Sequence, residues 1–181
     1  MNGTFIRELV ERERAGRRLL LIGIGGFGCA GKSTLAAELP EAQLVPTDGF
    51  WDGAGFDLAR LRVDILEPLL DGKPGRAAIR EWASGEEGEL VVEPWGIVVV
   101  EGVCALHRAL RDAYSLRVWL DVPRETRLAR AVARDGEGSR QPWVEKWMPR
   151  EQRYFDLDRP DLCADTILDG NGNPVQPHSN D

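Results

Sequence analysis

Cysteine, histidine, methionine and lysine are all scarce in this chain of 181 residues. Three cysteines (Cys29, Cys104, Cys163), odd in number and far apart, exclude a disulfide framework or a cysteine-based zinc pattern. A reducing compartment, the cytoplasm, is the expectation. The two histidines, His107 and His178, lack recognisable partners for a histidine-based catalytic triad. No apolar run approaches membrane-spanning length, and the segment from Phe5 to Arg12 is broken by charges. The sequence therefore predicts neither a membrane span nor a signal peptide. Positive charge is in deficit: the net charge of -7 argues against a general nucleic-acid binder, although unevenly placed arginines leave room for a local basic pocket. Repeats and low-complexity segments are missing. The length fits one domain over residues 1–181, and 43% apolar with 29% charged residues is ordinary for a globular protein. No apolar stripe stands apart from the expected core, so the pattern names no oligomeric state.

One of the only three lysines sits in the most informative stretch. Gly26-Phe27-Gly28-Cys29-Ala30-Gly31-Lys32-Ser33 spells G-x-x-x-x-G-K-[ST] and is followed by Thr34. The apolar run Leu19–Ile24 precedes it and reads as a buried strand; Thr34–Leu39 reads as a helix stopped by Pro40. Strand, glycine loop and helix in that order are the setting of a phosphate-binding loop. Glycines let successive N–H groups converge on one point, and the helix start adds partial positive charge there. Lys32 is then in reach of the β- and γ-phosphates of a nucleoside triphosphate, and the Ser33 hydroxyl is placed to ligate Mg²⁺.

Further along, residues 4 to 15 read as an amphipathic helix with Thr4 as N-cap and Gly16 beyond its end. A short strand covers Gln43–Thr47. Leu58, Leu61, Ile65, Leu66 and Leu69 share one face of a helix over Asp57–Leu70. Residues 76 to 96 read as an irregular excursion with a turn at Ser84–Gly88 and a short strand at Leu90–Val92. Ile97–Val100, closed by Glu101-Gly102, is the clearest buried strand. A helix near Ala105–Arg111, a strand at Leu116–Leu120, a basic helix at Arg124–Arg134, a helix over 143–155 and a strand at Thr166–Leu168 complete the expectation. The tail from Gly170 to Asp181 reads as loose. Strands alternating with helices predict an α/β three-layer sandwich, a parallel sheet of about five strands between helices.

Ligands of such sheets lie beyond the carboxyl ends of the strands, which singles out Asp48, Glu101 and Asp121. Asp48 can accept a proton from an attacking hydroxyl or hold Mg²⁺ through water; a turn-forming role is the plain alternative. Glu101 stands where an acid facing the metal's water shell or a substrate hydroxyl is expected. Asp121, followed by Pro123, reads as a helix cap. Arg127, Arg130 and Arg134 recur on one helix face, where their guanidinium forks suit phosphate, and residues 135–140 are flexible enough to make 124–140 a closing lid. Trp51 and Trp82, in loops, either stack on a flat or sugar-like substrate or pack in the core; Phe50, beside Trp51, is a further candidate substrate contact, and Arg80 a candidate substrate anchor. Trp119 reads as core. Cys29 reads as a small residue tolerated in the loop.

Taken in order, these motifs resemble the uridine kinase-like branch of P-loop kinases, related to phosphoribulokinase and bacterial pantothenate kinase. Gly26–Thr34 matches the phosphate loop, and Asp48-Gly49-Phe50-Trp51 is similar to that family's Asp-x-Phe-Tyr. Val99-Val100-Glu101-Gly102-Val103 resembles its strand ending in Glu-Gly, and Arg127-Leu-Ala-Arg130-Ala-Val-Ala-Arg134-Asp135 its lid helix. The resemblance implies a P-loop NTPase fold, MgATP as donor, a small-molecule hydroxyl acceptor such as a nucleoside or sugar, and Asp48 as base. Lys32, Ser33 and the lid arginines are implied to handle phosphate and metal. The family's substrate segment falls near Arg80-Glu81-Trp82, where the residue order is changed. A rival expectation is a nucleotide-dependent switch or ATPase acting on a protein partner; a guanine-reading Asn-Lys-x-Asp is missing from this chain.

Overall fold

The computed structural model describes residues 3–80 and 85–175. Trp82, the start of the Ser84–Gly88 turn and residues 176–181 of the tail, with His178, lie outside the described residues. Five strands, β1 (Leu19–Gly26), β2 (Gln43–Pro46), β5 (Gly96–Glu101), β6 (Leu116–Leu120) and β7 (Thr166–Leu168), form one parallel sheet in the order β2-β5-β1-β6-β7. The pleat sends alternate side chains to opposite faces. Leu20, Ile22, Ile24, Val99 and Val118 meet Ile6, Leu9 and Val10 of the Thr4–Arg14 helix on one side. On the other, Leu21, Val98, Val100 and Trp119 meet Leu61, Ile65, Leu66 and Leu69 of the helical run 58–70. The expected three-layer P-loop fold is therefore present, with the sheet's two apolar faces both covered.

Two helical runs, 58–70 and 140–158, contain wide π turns, at Arg62–Leu66 and Trp143–Trp147. Each ends two residues before a proline, Pro68 and Pro149. A proline ring crowds the carbonyl four residues back and leaves it without an N–H partner. In both runs that carbonyl belongs to the central residue of the π turn, so the widening relieves the crowding without ending the helix.

Four expectations need correction. Gly3, not Thr4, is the N-cap of the first helix, and Thr4 already lies within it. The excursion at 76–96 is a regular antiparallel hairpin, β3 (Gly75–Arg80) with β4 (Glu87–Val92). Its alternation was masked because small Ala77 supplies a buried position usually held by a large residue. The helix expected near 105–111 is a chain of tight turns ending in a 3-10 turn at Arg111–Ala113. There the Arg108 N–H donates to Asp158 Oδ2 (2.8 Å) and the Ala109 N–H to His107 Nδ1 (3.1 Å), in place of helical carbonyls. Finally, the N-cap position of the Arg124–Asp135 helix is held by Pro123, without a side-chain cap bond, and Asp121 stands two residues before it.

Candidate active site

A cleft of about 970 Å³ opens beyond the carboxyl ends of β1, β2 and β5. Loop residues Gly28, Cys29, Gly31, Lys32, Ser33 and Thr34 line it, with Asp48, Trp51 and Glu101 across from them and Arg130 and Arg134 at the side. β1 lies between β5 and β6 while the chain leaves it for β2, so the loop sits where connections diverge, the usual ligand position in such sheets.

Within the loop, Cys29 and Gly31 both have positive φ (60° and 104°), the backbone signature of a concave nest of N–H groups. The Lys32 ammonium, almost buried, folds back to donate to the Phe27 carbonyl at 3.0 Å. The Ser33 hydroxyl donates to Glu101 Oε1 at 3.1 Å, joining the helix start to the end of β5. Burial pushes the Asp48 carboxyl above its ordinary pKa, opposed by Lys32 and Arg134. Glu101 is raised by the same cause, opposed by Lys32 and the Ser33 bond and reinforced by the neighbouring Asp48 charge. Two partly desolvated carboxyls facing one ammonium and one hydroxyl form a site able to take a proton from a hydroxyl while anions are held nearby.

The residues present fit a triphosphate and a hard cation. A nest of loop amides and a retracted lysine suit phosphate oxygens. A single hydroxyl beside carboxyls suits Mg²⁺, which keeps waters and shares phosphate oxygens rather than filling an all-protein cage. No group of three or more His, Cys, Asp or Glu side chains able to hold a metal ion occurs among the described residues.

Several residues expected at the site lie elsewhere. Phe50 is fully buried beneath Arg60, whose guanidinium stands 4.8 Å from its ring, so it is core. Arg80 is exposed on the hairpin, paired with Glu87 at 3.1 Å, and does not line the cleft. Gly26, Phe27 and Ala30 form the back of the loop and are buried; Phe27 packs on Trp119 and Phe155. Arg127 is buried behind the loop, 4.2 Å over the Phe27 ring, with Nε donating to the Val122 carbonyl, and is not among the cleft residues. Its helical spacing with Arg130 and Arg134 concealed this, because a three-residue step turns it toward the core. Arg130 does reach the loop, donating to the Ala30 carbonyl at 3.1 Å and the Gly170 carbonyl at 3.3 Å. Arg134 is tied to Asp135 at 2.6 Å.

Phe56, Val103, Trp143, Trp147 and Glu151 line the cleft without having been singled out as site residues. The last three were legible in principle: Trp143, Trp147, Glu151 and Phe155 recur at intervals of four, a stripe on one helix face. Trp51 packs edge-on against Phe56 (centroids 5.1 Å apart) and Trp147 (6.3 Å), making an aromatic wall.

A phosphate loop at the end of the central strand, with acids closing the two strands to one side of it, defines a P-loop phosphotransferase. No family model matches the chain. The uridine kinase of Halobacterium salinarum is 24% identical over 186 residues, covering 85% of this chain and 81% of that protein. Inorganic pyrophosphatase TTM1 of Arabidopsis thaliana is 30% identical over 134 residues; this is 65% of this chain, and it spans only 21% of that protein. A putative fructose transport system kinase from Silicibacter sp. TM1040 has the same fold, with a TM-score of 0.72 at 19% identity, covering 86% of this chain and 95% of the other. The chain is thus similar to uridine kinases in sequence and to P-loop kinases in fold, likenesses that support a phosphotransferase with an alcohol group as acceptor.

Proposed function

We propose that the protein transfers the γ-phosphoryl group of ATP to a hydroxyl of a small neutral metabolite, a nucleoside or a sugar. The observation that carries this reading is the facing of Asp48 and Glu101 toward Lys32 and Ser33 in one cleft, with Ser33 bonded to Glu101. Asp48 orients the acceptor hydroxyl and takes its proton. Lys32 leaves the Phe27 carbonyl for the β- and γ-phosphate oxygens, while the loop amides hold them. Ser33, with Asp48 and Glu101 through water, would hold Mg²⁺, which supplies charge neutralisation on the transferring group. Residues 124–140 act as the lid, Arg130 and Arg134 facing the phosphates and excluding water.

The acceptor's chemistry follows from the walls. Trp51, Phe56 and Trp147 offer aromatic surface to a ring face, as in many carbohydrate and base sites. The cleft-lining cations among the described residues, Lys32, Arg130 and Arg134, gather on or beside the phosphate loop, away from the Trp51–Phe56 part of the wall, an arrangement that favours a neutral acceptor. Nucleosides, sugars, glycerate and a sugar phosphate, each assayed for acceptor-dependent ADP release, test this. A neutral hydroxyl compound should raise the rate well above the water background. A hydrolysis rate indifferent to all of them would favour a nucleotide-driven ATPase instead.

A further inference from the structure

The helix over 140–158 does more than wall the cleft. Its stripe continues from Trp143 and Trp147 through Glu151 to Phe155, and the last two reach the phosphate loop. Phe155 packs on the Phe27 ring, with centroids 5.2 Å apart. Glu151 sits directly over Gly28: a Cβ there would lie 2.5 Å from Glu151 Oε1 and 2.7 Å from the Trp143 ring. The Gly28 N–H acts on that carboxyl as a hydrogen-bond donor. A side chain at Gly28 would have to displace the Glu151 carboxyl and the Trp143 ring.

Glu151 is almost wholly buried, and its Oε2 stands 3.5 Å from Arg127 Nη1. Neither of those two atoms has a hydrogen-bond partner. The charged groups facing the carboxyl are Arg127 from the Arg124–Asp135 helix, Lys32 from the loop and Asp48 from the end of β2; the Cys29 and Cys104 thiols are also within its influence. A buried carboxylate beside a nest meant for phosphate opposes the ligand by like charge unless a cation offsets it.

We infer that Glu151 is a positioning residue that fixes the first half of the phosphate loop through Gly28, and that Arg127 is its counter-charge, letting the loop accept the negative charge of ATP. This inference rests on the reading of the loop as a nucleotide site. It gives Arg127 an electrostatic role exerted through Glu151 rather than contact with phosphate. Burial already pushes the Glu151 carboxyl upward, so removal of Arg127 exposes an uncompensated charge that is present at high pH and lost as the carboxyl takes a proton.

The test is equilibrium binding of MgATP to the full chain by calorimetry at about pH 5 and about pH 8, the lower value standing close to the ordinary glutamate range of about 4.3, from which burial raises this carboxyl. Arg127→Met should weaken binding roughly tenfold or more at the higher pH and less at the lower. Adding Glu151→Gln, which keeps an oxygen for the Gly28 N–H and removes the charge, should restore affinity to within about threefold of wild type at both. A double variant no better than Arg127→Met, or a deficit equal at both pH values, means that Arg127 merely packs on Phe27 and overturns the inference. If Arg127→Met shows no cooperative melt, Glu151→Gln alone decides: tighter MgATP binding at the higher pH supports the pairing, and equal or weaker binding overturns it. Wild-type protein that fails to bind MgATP overturns the nucleotide reading as well; wild-type binding without rescue overturns this inference alone.

Discussion

Replacing Asp48 with asparagine keeps the side chain's size and its place in the Thr47–Phe50 turn, whose Trp51 N–H to Asp48 carbonyl bond involves backbone only. What it removes is the ability to accept a proton, together with one negative charge in the field of Lys32 and Arg134. On the proposed chemistry the first loss falls on turnover. General-base assistance contributes about 10²–10⁴-fold, so kcat should fall by about 10²-fold or more, close to 3 kcal/mol of barrier or above. The second change acts on the ground state with the opposite sign. A carboxyl that repels phosphate is gone, so ATP should bind as well as before or somewhat more tightly. Steady-state ADP release with a working acceptor, paired with calorimetric titration of MgATP, separates the two effects. Undiminished turnover removes Asp48 from the role of base. Turnover and ATP affinity falling together would place it among the metal-holding groups instead.

Asp48 must be ionised to act, and burial raises its pKa, so kcat/KM should decline as pH falls through a value above the ordinary aspartate range of about 3.9; a rate flat down to that ordinary value would contradict the assignment. Phe50→Ala should act as a core truncation, destabilising by about 3–5 kcal/mol with a melting temperature lower by roughly 10 °C. An unchanged melt with a raised acceptor KM would return Phe50 to the substrate wall. Arg80→Ala breaks only an exposed hairpin ion pair, and acceptor KM should move by less than about twofold; a tenfold rise would show that Arg80 reaches the acceptor after all.

The donor half of the site was legible because its residues are adjacent in sequence and each obeys a local rule. Strand, glycine loop and helix follow one another, and acids that end buried strands project toward the cleft whatever the loops do. Phe50 and Arg127 were misplaced because neighbours in a motif need not share a direction. Phe50 turns inward under Arg60 while Trp51, one residue on, faces the cleft. Arg127 turns into the core one helical turn from Arg130, whose guanidinium is held by loop carbonyls. Trp143, Trp147 and Glu151 were passed over for a different reason. Their spacing of four says which helix face they share, and nothing in it says what that face meets. The packing of Phe155 against Phe27 and Trp119, seen only in the folded chain, holds the helix against the loop.

That packing explains why one helix serves both ends of the cleft. From Trp147 to Glu151 is about one helical turn, roughly 6 Å along the axis. Within that distance the face passes from the aromatic wall shared with Trp51 to the carboxyl resting on Gly28. A free-standing acceptor wall would have to be aligned with the phosphate loop through flexible connections. Here the alignment is set by a single rigid element anchored in the core at Phe155, with the Trp143–Trp147 π turn rotating the wall residues relative to a regular helix. Pro149, two residues beyond that turn, thus falls between the part of the helix that meets the loop and the part that faces Trp51. The wall's angle to the loop is therefore written into the backbone, and the distance between donor and acceptor depends less on the surface loops than on this helix.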